Sequence, residues 1–218
     1  MKKLIALLPI VFSLYVSAQK IEVIESKEDL GGGKNPALTV IIPDADESDV
    51  EKAWKSLMKD YNAKMSNKDG IFADNALITE ISANTVDVYA TTKKDDKGVK
   101  LCVAFDLGGA FISESTHSTE YKAAEKIVEK FATEMAKKAV AKKLEDAKDK
   151  QKDLEGNLSE LVKKKEKLEK DIEDYKKKIS DAEADIVTNK SDQEKAAKLI
   201  EEQKKAVEVI QKKLDDKK

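Results

Sequence analysis

The hydrophobic positions along this chain follow two periods, and the change between them divides the sequence into two halves. From residue 119 onward, apolar residues return every three or four positions in a tract with no proline and one glycine, Gly156. This spacing is the a/d heptad of a coiled coil, in which a helix buries an apolar seam against another helix. The predicted interaction seam consists of Leu154, Leu158, Leu161, Leu168, Ile172, Tyr175, Ile179 and Ile186.

The seam loses its apolar character near residues 187–191. Asn189 and Gln193 occupy seam positions there, and a Ser-x-x-Glu capping box, the pattern that starts a helix, begins at Ser191. We therefore predict a helical hairpin with a turn near 187–191 in preference to one continuous rod. Lys165 also falls on the seam, where a polar residue costs stability but fixes register or oligomeric state.

The first half of the chain, residues 19–118, has the length of one small domain. Ser48 and Glu51 form a capping box before an apolar helical stripe, which predicts one helix. Apolar and polar residues then alternate at 85–92 and 99–107, two strands joined by a charged loop that ends in glycine. This order predicts an α+β fold: a small antiparallel-sheet domain with one covering helix, followed by the long α-helical coiled-coil region.

Shorter apolar runs complete the predicted sheet, and the start of the long helix has an apolar face of its own. Additional strands are predicted at 21–24, 37–42 and 76–81. Tyr121, Val128 and Phe131 lie on one side of the long helix, and we expect them to pack on the domain or on other helices.

Residues 1–18 have the three-part pattern of a secretory signal peptide. Lys2 and Lys3 supply positive charge, 4–15 form an apolar stretch too short to span a bilayer, and small residues at 16–18 fit a cleavage site. We predict an exported protein, periplasmic or secreted, with no membrane span after signal cleavage. The predicted domains are the signal peptide at 1–18, the α+β domain at 19–118 and the helical stalk at 119–218.

Charged residues make up 39% of the 218 residues, and every basic side chain other than the single His is Lys. Arg is the preferred residue for bidentate recognition of phosphates and bases, so its absence argues against a nucleic-acid partner. The seam instead predicts self-association or a protein partner, and it leaves the oligomeric state open.

Groups suited to catalysis are scarce. His117 is the single His, and no Cys/His cluster has the spacing of a zinc site. The single Cys, Cys102, lies on the second face of a predicted strand, and it either pairs between chains or is inert. Because free Cys is commonly buried, we interpret it as a buried or half-buried small hydrophobe. Residues 105–110 resemble the first phosphate-loop motif of sugar kinases and actin-like ATPases, but a coiled tract follows them, so we interpret their glycines as a strand end. We predict no catalytic, cofactor-binding or metal site.

These observations favour a non-enzymatic structural or interaction protein of the cell envelope, with a coiled coil for association and an α+β head that recognises a ligand. A periplasmic holdase chaperone is the alternative, because the Lys-rich helical tract is similar to that of exported coiled-coil hairpin chaperones of the bacterial envelope. A hydrolase or nucleotide-dependent enzyme that uses Asp106 and His117 is a second alternative.

Overall fold

The computed structural model describes residues 20–66 and 70–215 of the chain. Its elements, in chain order, are β1 (Val23–Asp29), β2 (Lys34–Pro43), α1 (Glu47–Asp60), β3 (Lys64–Ser66), β4 (Ile71–Ala76), β5 (Val86–Asp95), β6 (Gly98–Asp106) and α2 (Ser118–Asp215). The chain divides by its internal contacts into unit 1 (Met1–Lys148) and unit 2 (Asp149–Lys218). The signal peptide predicted at 1–18 lies outside the described residues.

The six described strands form one antiparallel sheet in the order β1-β2-β6-β5-β4-β3. In its centre, β2 pairs with the distant β6, with Leu38 opposite Val103. β5 and β6 form the predicted hairpin, which closes at Asp95 and Gly98. Gly98 has φ +144° and lies so close to the backbone of Ile42 that a side chain has no room, so the turn requires glycine. The sheet and the long helix confirm the predicted α+β class.

Two helices, α1 and the first turns of α2, cover one face of the sheet. Trp54 of α1 is fully buried, and its ring meets that of Phe131 edge-on with centroids 4.9 Å apart. The buried side chains of α2 in this core are Tyr121, Ala124, Val128, Phe131, Ala132 and Met135. The expected packing of Tyr121, Val128 and Phe131 on the domain is confirmed. The single covering helix is corrected to two, because α2 carries its apolar stripe back over the same sheet face, beyond residue 118.

Helix α1 begins before the predicted capping box. Its N-cap is Asp46, whose Oδ1 accepts from the backbone N–H of Ser48 at 3.0 Å and from the Ser48 hydroxyl at 2.7 Å. Ser48 therefore supports the cap instead of forming it, and Glu51 pairs with Lys55 at 2.5 Å. The Ser48–Glu51 prediction is wrong because Asp46 is an equally strong cap and leaves Glu47 in the first turn, where the helix dipole favours a carboxylate.

The strand predicted at 76–81 is also wrong, because the chain leaves the sheet after β4. The N–H of Leu77 donates to the carbonyl of Tyr61 at 2.7 Å, and the N–H of Ile81 donates to the carbonyl of Ile78 at 2.9 Å. Ile78 and Ile81 are buried against the core from this turn. An apolar run can thus reach the core without strand pairing, which its sequence pattern does not distinguish.

Unit 2 is helical throughout its described residues. The turn predicted near 187–191, and the hairpin with it, is corrected, since α2 continues through this segment. Thr188 Oγ1 donates to the carbonyl of Ala184 at 3.2 Å, and Gln193 Nε2 donates to Asn189 Oδ1 at 2.6 Å. These polar side chains find partners four residues away on the same helix, so the helix needs no turn to satisfy them.

Candidate functional site

The predicted interaction seam lies on unit 2 and is exposed along its whole length. The exposed fraction of its side chains runs from 52% at Leu168 to 64% at Leu161. The structure places on this stripe Leu154, Leu158, Leu161, Leu168, Ile172, Tyr175, Ile179 and Ile186. A mean spacing of 3.5 residues nearly matches the 3.6 residues of a helical turn, so these side chains share one face. Contiguous apolar surface of this kind is typical of protein interaction sites.

Beyond the seam, and separated from it by the polar Asn189 and Gln193, apolar residues return at heptad positions: Ile200, Val207 and Ile210 are exposed by 56%, 55% and 65%. Val187 and Val209 are exposed by 69% and 55%, but both lie off the heptad positions and are scattered singly. Lys165 Nζ lies 3.5 Å from Glu169 Oε1, and both side chains are more than half exposed. An exposed pair of this type contributes about 0.3–0.5 kcal/mol. Such pairs support the helix but do not cover the seam.

A groove of about 1050 Å³ lies in unit 1 between α1 and the first turns of α2. Its floor includes the half-buried side chains of Leu57 and Ile127. The α2 side of the groove carries Lys122, Lys126, Lys130 and Lys138. In the described chain, none of these four ammonium groups has a carboxylate within 4 Å. The groove is not among the features predicted above. Its signal in the sequence is a second apolar row beside the core row, with Leu57 next to Met58 and Ile127 next to Val128.

The sheet face opposite the helices carries a small cluster around Cys102, which is 4% exposed. The cluster also contains Leu30, Ala37, Ala104, Tyr89 and Phe111. The Thr39 hydroxyl donates to Cys102 Sγ at 3.4 Å, and burial raises the pKa of the thiol. The interpretation of Cys102 as a buried small hydrophobe is confirmed. A protonated, covered thiol is a poor nucleophile, so this cluster is structural.

A polar row runs beside this cluster on the same sheet face. Lys100 Nζ lies 2.7 Å from Glu28 Oε1, and this hydrogen bond holds the pKa of Glu28 below its usual value and raises the pKa of Lys100. The Ser26 hydroxyl donates to Glu28 Oε1 at 3.1 Å and lies 2.6 Å from the Thr39 hydroxyl, next to Cys102. These groups satisfy one another, which indicates that they brace the sheet.

Asp106 and His117, the residues of the enzyme alternative, hold backbone groups between β6 and α2. Asp106 Oδ1 accepts from the backbone N–H groups of Gly108 at 3.0 Å and Gly109 at 2.6 Å. The backbone N–H of His117 donates to the carbonyl of Ser113 at 2.9 Å, and its side-chain Nδ1 lies 2.8 Å from the Thr116 hydroxyl. Because β6 ends at Asp106, the interpretation of the glycines as a strand end is confirmed. Both residues thus have local structural roles in the loop that leads into α2.

Over 20–66 and 70–215, no group of three or more His, Cys, Asp or Glu side chains is arranged to hold a metal ion. No helix of the described chain is long and apolar enough to cross a membrane. In comparisons with known proteins, no family model, no curated protein and no solved structure matches this chain.

Proposed function

We propose that this protein is a non-enzymatic, exported interaction protein of the cell envelope, which associates with a protein partner through the seam of unit 2. The observation that carries the proposal is the exposed seam, an apolar stripe along residues 154–186 that no element of the described chain covers. In this proposal unit 1 is the recognition head, and unit 2 forms a coiled coil.

The energetics of the seam support association. Covering a Leu side chain that is otherwise in water contributes about 1.5–3 kcal/mol. Leu161 and Leu168 are 64% and 52% exposed, so each has most of this contribution still to gain. Helices in proteins also derive most of their stability from a packed apolar face rather than from intrinsic propensity. A partner for the seam would therefore stabilise both the complex and the helix itself.

The test is a double substitution on the seam, Leu161→Lys with Leu168→Lys, in the chain from Gln19 to Lys218. Two buried charges prevent helix pairing, so we expect the wild type to be associated and the variant to be monomeric by light scattering. The matched control is Val187→Lys with Val209→Lys, which makes the same kind of change off the seam. This control is expected to keep the wild-type mass.

Three outcomes would contradict the proposal. An unchanged mass and helix content in the seam variant would show that the stripe does not mediate association. A monomeric wild type that suppresses aggregation of an unfolded client at stoichiometric ratio would instead favour the holdase alternative. Turnover that is lost in Asp106→Asn would favour the enzyme alternative, although Asp106 closes a turn in the structure.

A further inference from the structure

We propose that the partner of the seam is a second copy of this chain, and that two unit 2 helices pair parallel and in register. This inference rests on the proposed function and names the partner of the same surface. It is carried by two features of unit 2, the charges that flank the seam and the polar residues within it.

The charges beside the seam alternate in sign with the heptad. The heptad places Lys164, Asp171, Lys178 and Asp185 at g positions and Glu169, Lys176, Glu183 and Lys190 at e positions. In a parallel, in-register pair, each g residue faces the e residue five positions later on the partner helix. The facing pairs are Lys164 with Glu169, Asp171 with Lys176, Lys178 with Glu183, and Asp185 with Lys190. Each of these consecutive pairs joins opposite charges.

These flanking groups are available for a partner helix. Of the eight side chains, Glu169 has an ion pair inside the described chain, at 3.5 Å from Lys165, and Lys178 Nζ lies 5.6 Å from the ring centroid of Tyr175. The other six have no ion pair in the described chain. The apolar seam agrees with the same arrangement. Ile172, Ile179 and Ile186 take successive a positions, and Leu154, Leu161 and Leu168 take d positions. β-Branched residues at a together with Leu at d favour two strands in parallel coiled coils.

Charge alone does not decide the orientation of the two helices. An antiparallel pair centred between Ile172 and Tyr175 would also join opposite charges at its g positions, for example Asp171 with Lys178. The two orientations differ in which seam residues face each other. The polar seam residues therefore discriminate between them.

Asn189 and Gln193 occupy consecutive seam layers and favour the parallel pair. In parallel register each amide faces its own copy, and Gln193 Nε2 already donates to Asn189 Oδ1 at 2.6 Å, so the layers form one polar block. In the antiparallel pair, Asn189 would face Leu158 and Gln193 would face Leu154. That arrangement covers amides with leucine side chains and leaves their remaining hydrogen bonds unmade.

Lys165 also occupies a seam position, where it faces its own copy in parallel register. Its side chain is 73% exposed, and its Nζ lies 3.5 Å from Glu169 Oε1 on the flank of the helix. A long lysine stem packs along the seam while the ammonium group reaches water at the flank. A two-stranded pair leaves that route open, whereas a third helix would close it. Lys165 therefore favours a dimer over larger bundles.

The first experiment places single cysteines in a Cys102→Ala background and equilibrates the protein in a glutathione redox buffer. Leu154→Cys places a thiol far from the centre of the seam. In a parallel, in-register pair, the thiols of the two chains face each other. In the centred antiparallel pair they would be roughly 60 Å apart, from the helical rise. We expect disulfide-linked dimers from Leu154→Cys and almost none from Lys163→Cys, the control on the outer face of the helix.

Each alternative outcome has a separate meaning. A mixture of Leu154→Cys with Gln193→Cys that gives only the mixed disulfide would overturn the parallel orientation and keep the association. A trimer or larger species by light scattering would overturn the two-stranded pair. A wild type that is monomeric at every concentration tested would overturn the proposed function itself.

A charge exchange provides a second, independent readout. Asp171→Lys alone puts like charges opposite each other, and we expect the dimer dissociation constant to rise roughly tenfold. Adding Lys176→Asp restores opposite charges in the parallel pair, so the double variant is expected to return close to wild-type affinity. In the antiparallel pair the second change adds a repulsion with Glu169, so a further loss of affinity would overturn the inference.

Discussion

The two parts of helix α2 have similar apolar spacing, but the apolar side chains of one part are buried and those of the other are exposed. In unit 1, its stripe from Tyr121 to Met135 is at most 7% exposed, because the sheet and α1 lie against it. In unit 2, the seam from Leu154 to Ile186 is more than half exposed, and nothing in the described chain covers it. The comparison shows that apolar spacing reports which face of a helix is to be buried but not what buries it.

The composition of the two stripes reflects this difference. The unit 1 stripe includes Phe131, which fills space against Trp54 at a ring distance of 4.9 Å. The unit 2 seam is made mainly of Leu and Ile with regular spacing, and charges alternate along its flanks. A shaped pocket in a core favours a bulky ring, whereas a helix partner favours repeated aliphatic residues.

The strongest test compares two aromatic truncations on the same helix. Phe131→Ala removes a buried ring, and we expect it to lower the free energy of unfolding of unit 1 by about 3–5 kcal/mol. Tyr175→Ala removes a ring that is 62% exposed and is expected to leave unit 1 unchanged. Fluorescence of Trp54, the single Trp of the chain, reports urea unfolding of unit 1 alone. Equal losses of unfolding free energy in Phe131→Ala and Tyr175→Ala would contradict the contrast between a buried stripe in unit 1 and an exposed seam in unit 2.

A second test concerns the sheet face of unit 1 that carries Cys102. Gly31 has φ +69°, and a Cβ there would lie 2.6 Å from the ring of Phe111. Gly31→Ala is therefore expected to destabilise unit 1 by about 1–3 kcal/mol and to speed the reaction of Cys102 with a thiol reagent. Gly33→Ala, which meets no atom within 4 Å, is the control and is expected to change neither quantity. A rate of thiol reaction in Gly31→Ala that is unchanged from wild type would show that this loop does not protect Cys102.

The smallest expected effect is a pH dependence of unit 1 through the Glu28–Lys100 pair. The pKa of Glu28 is lowered by the hydrogen bond from Lys100, so its stabilisation is present above about pH 4.3 and is lost as pH falls through the lowered pKa. The pKa of Lys100 is raised, so its share persists below about pH 10.4 and is lost as pH rises through the raised pKa.

Glu28→Gln removes the ion pair, and with it the loss of unit 1 stability that the pair causes at acid pH and at alkaline pH. We expect it to lower the stability of unit 1 by about 0.5–1 kcal/mol at neutral pH and by progressively less at acid pH. Glu169→Gln removes the carboxylate that pairs with Lys165 in unit 2 and is the matched control, with no expected change in the Trp54 signal. A constant difference between Glu28→Gln and wild type across the acid range would contradict the role assigned to the pair.

Local signals predicted much of unit 1 correctly. The alternation at 85–92 and 99–107 predicted β5 and β6, and the charged loop with a terminal glycine predicted their hairpin at Gly98. Cys102, on the second face of one of these strands, was predicted to be buried or half-buried because free Cys is commonly buried, and it is 4% exposed. These features depend on neighbours in sequence or on strand periodicity, which a sequence displays directly.

Features that depend on competition between nearby signals were missed. Asp46 caps α1 in place of Ser48, and the apolar run at 76–81 packs as a turn because Leu77 bonds to Tyr61 rather than to a strand. The polar residues at 187–191 predict a turn, but in the structure they find partners along a continuous helix. In each case two local structures suit the same residues, and distant contacts or helical continuity select one.

The order of apolar and polar residues is enough to locate the apolar faces, because a face follows from the period of side chains along a helix or strand. It thereby located the seam at 154–186 and the stripe that contains Phe131. The tertiary structure decided what those faces meet: the sheet buries the stripe, two helices rather than one cover the sheet, and the seam remains exposed. These outcomes depend on how strands such as β2 and β6 pair across a long sequence separation, and on which surfaces that pairing places within reach.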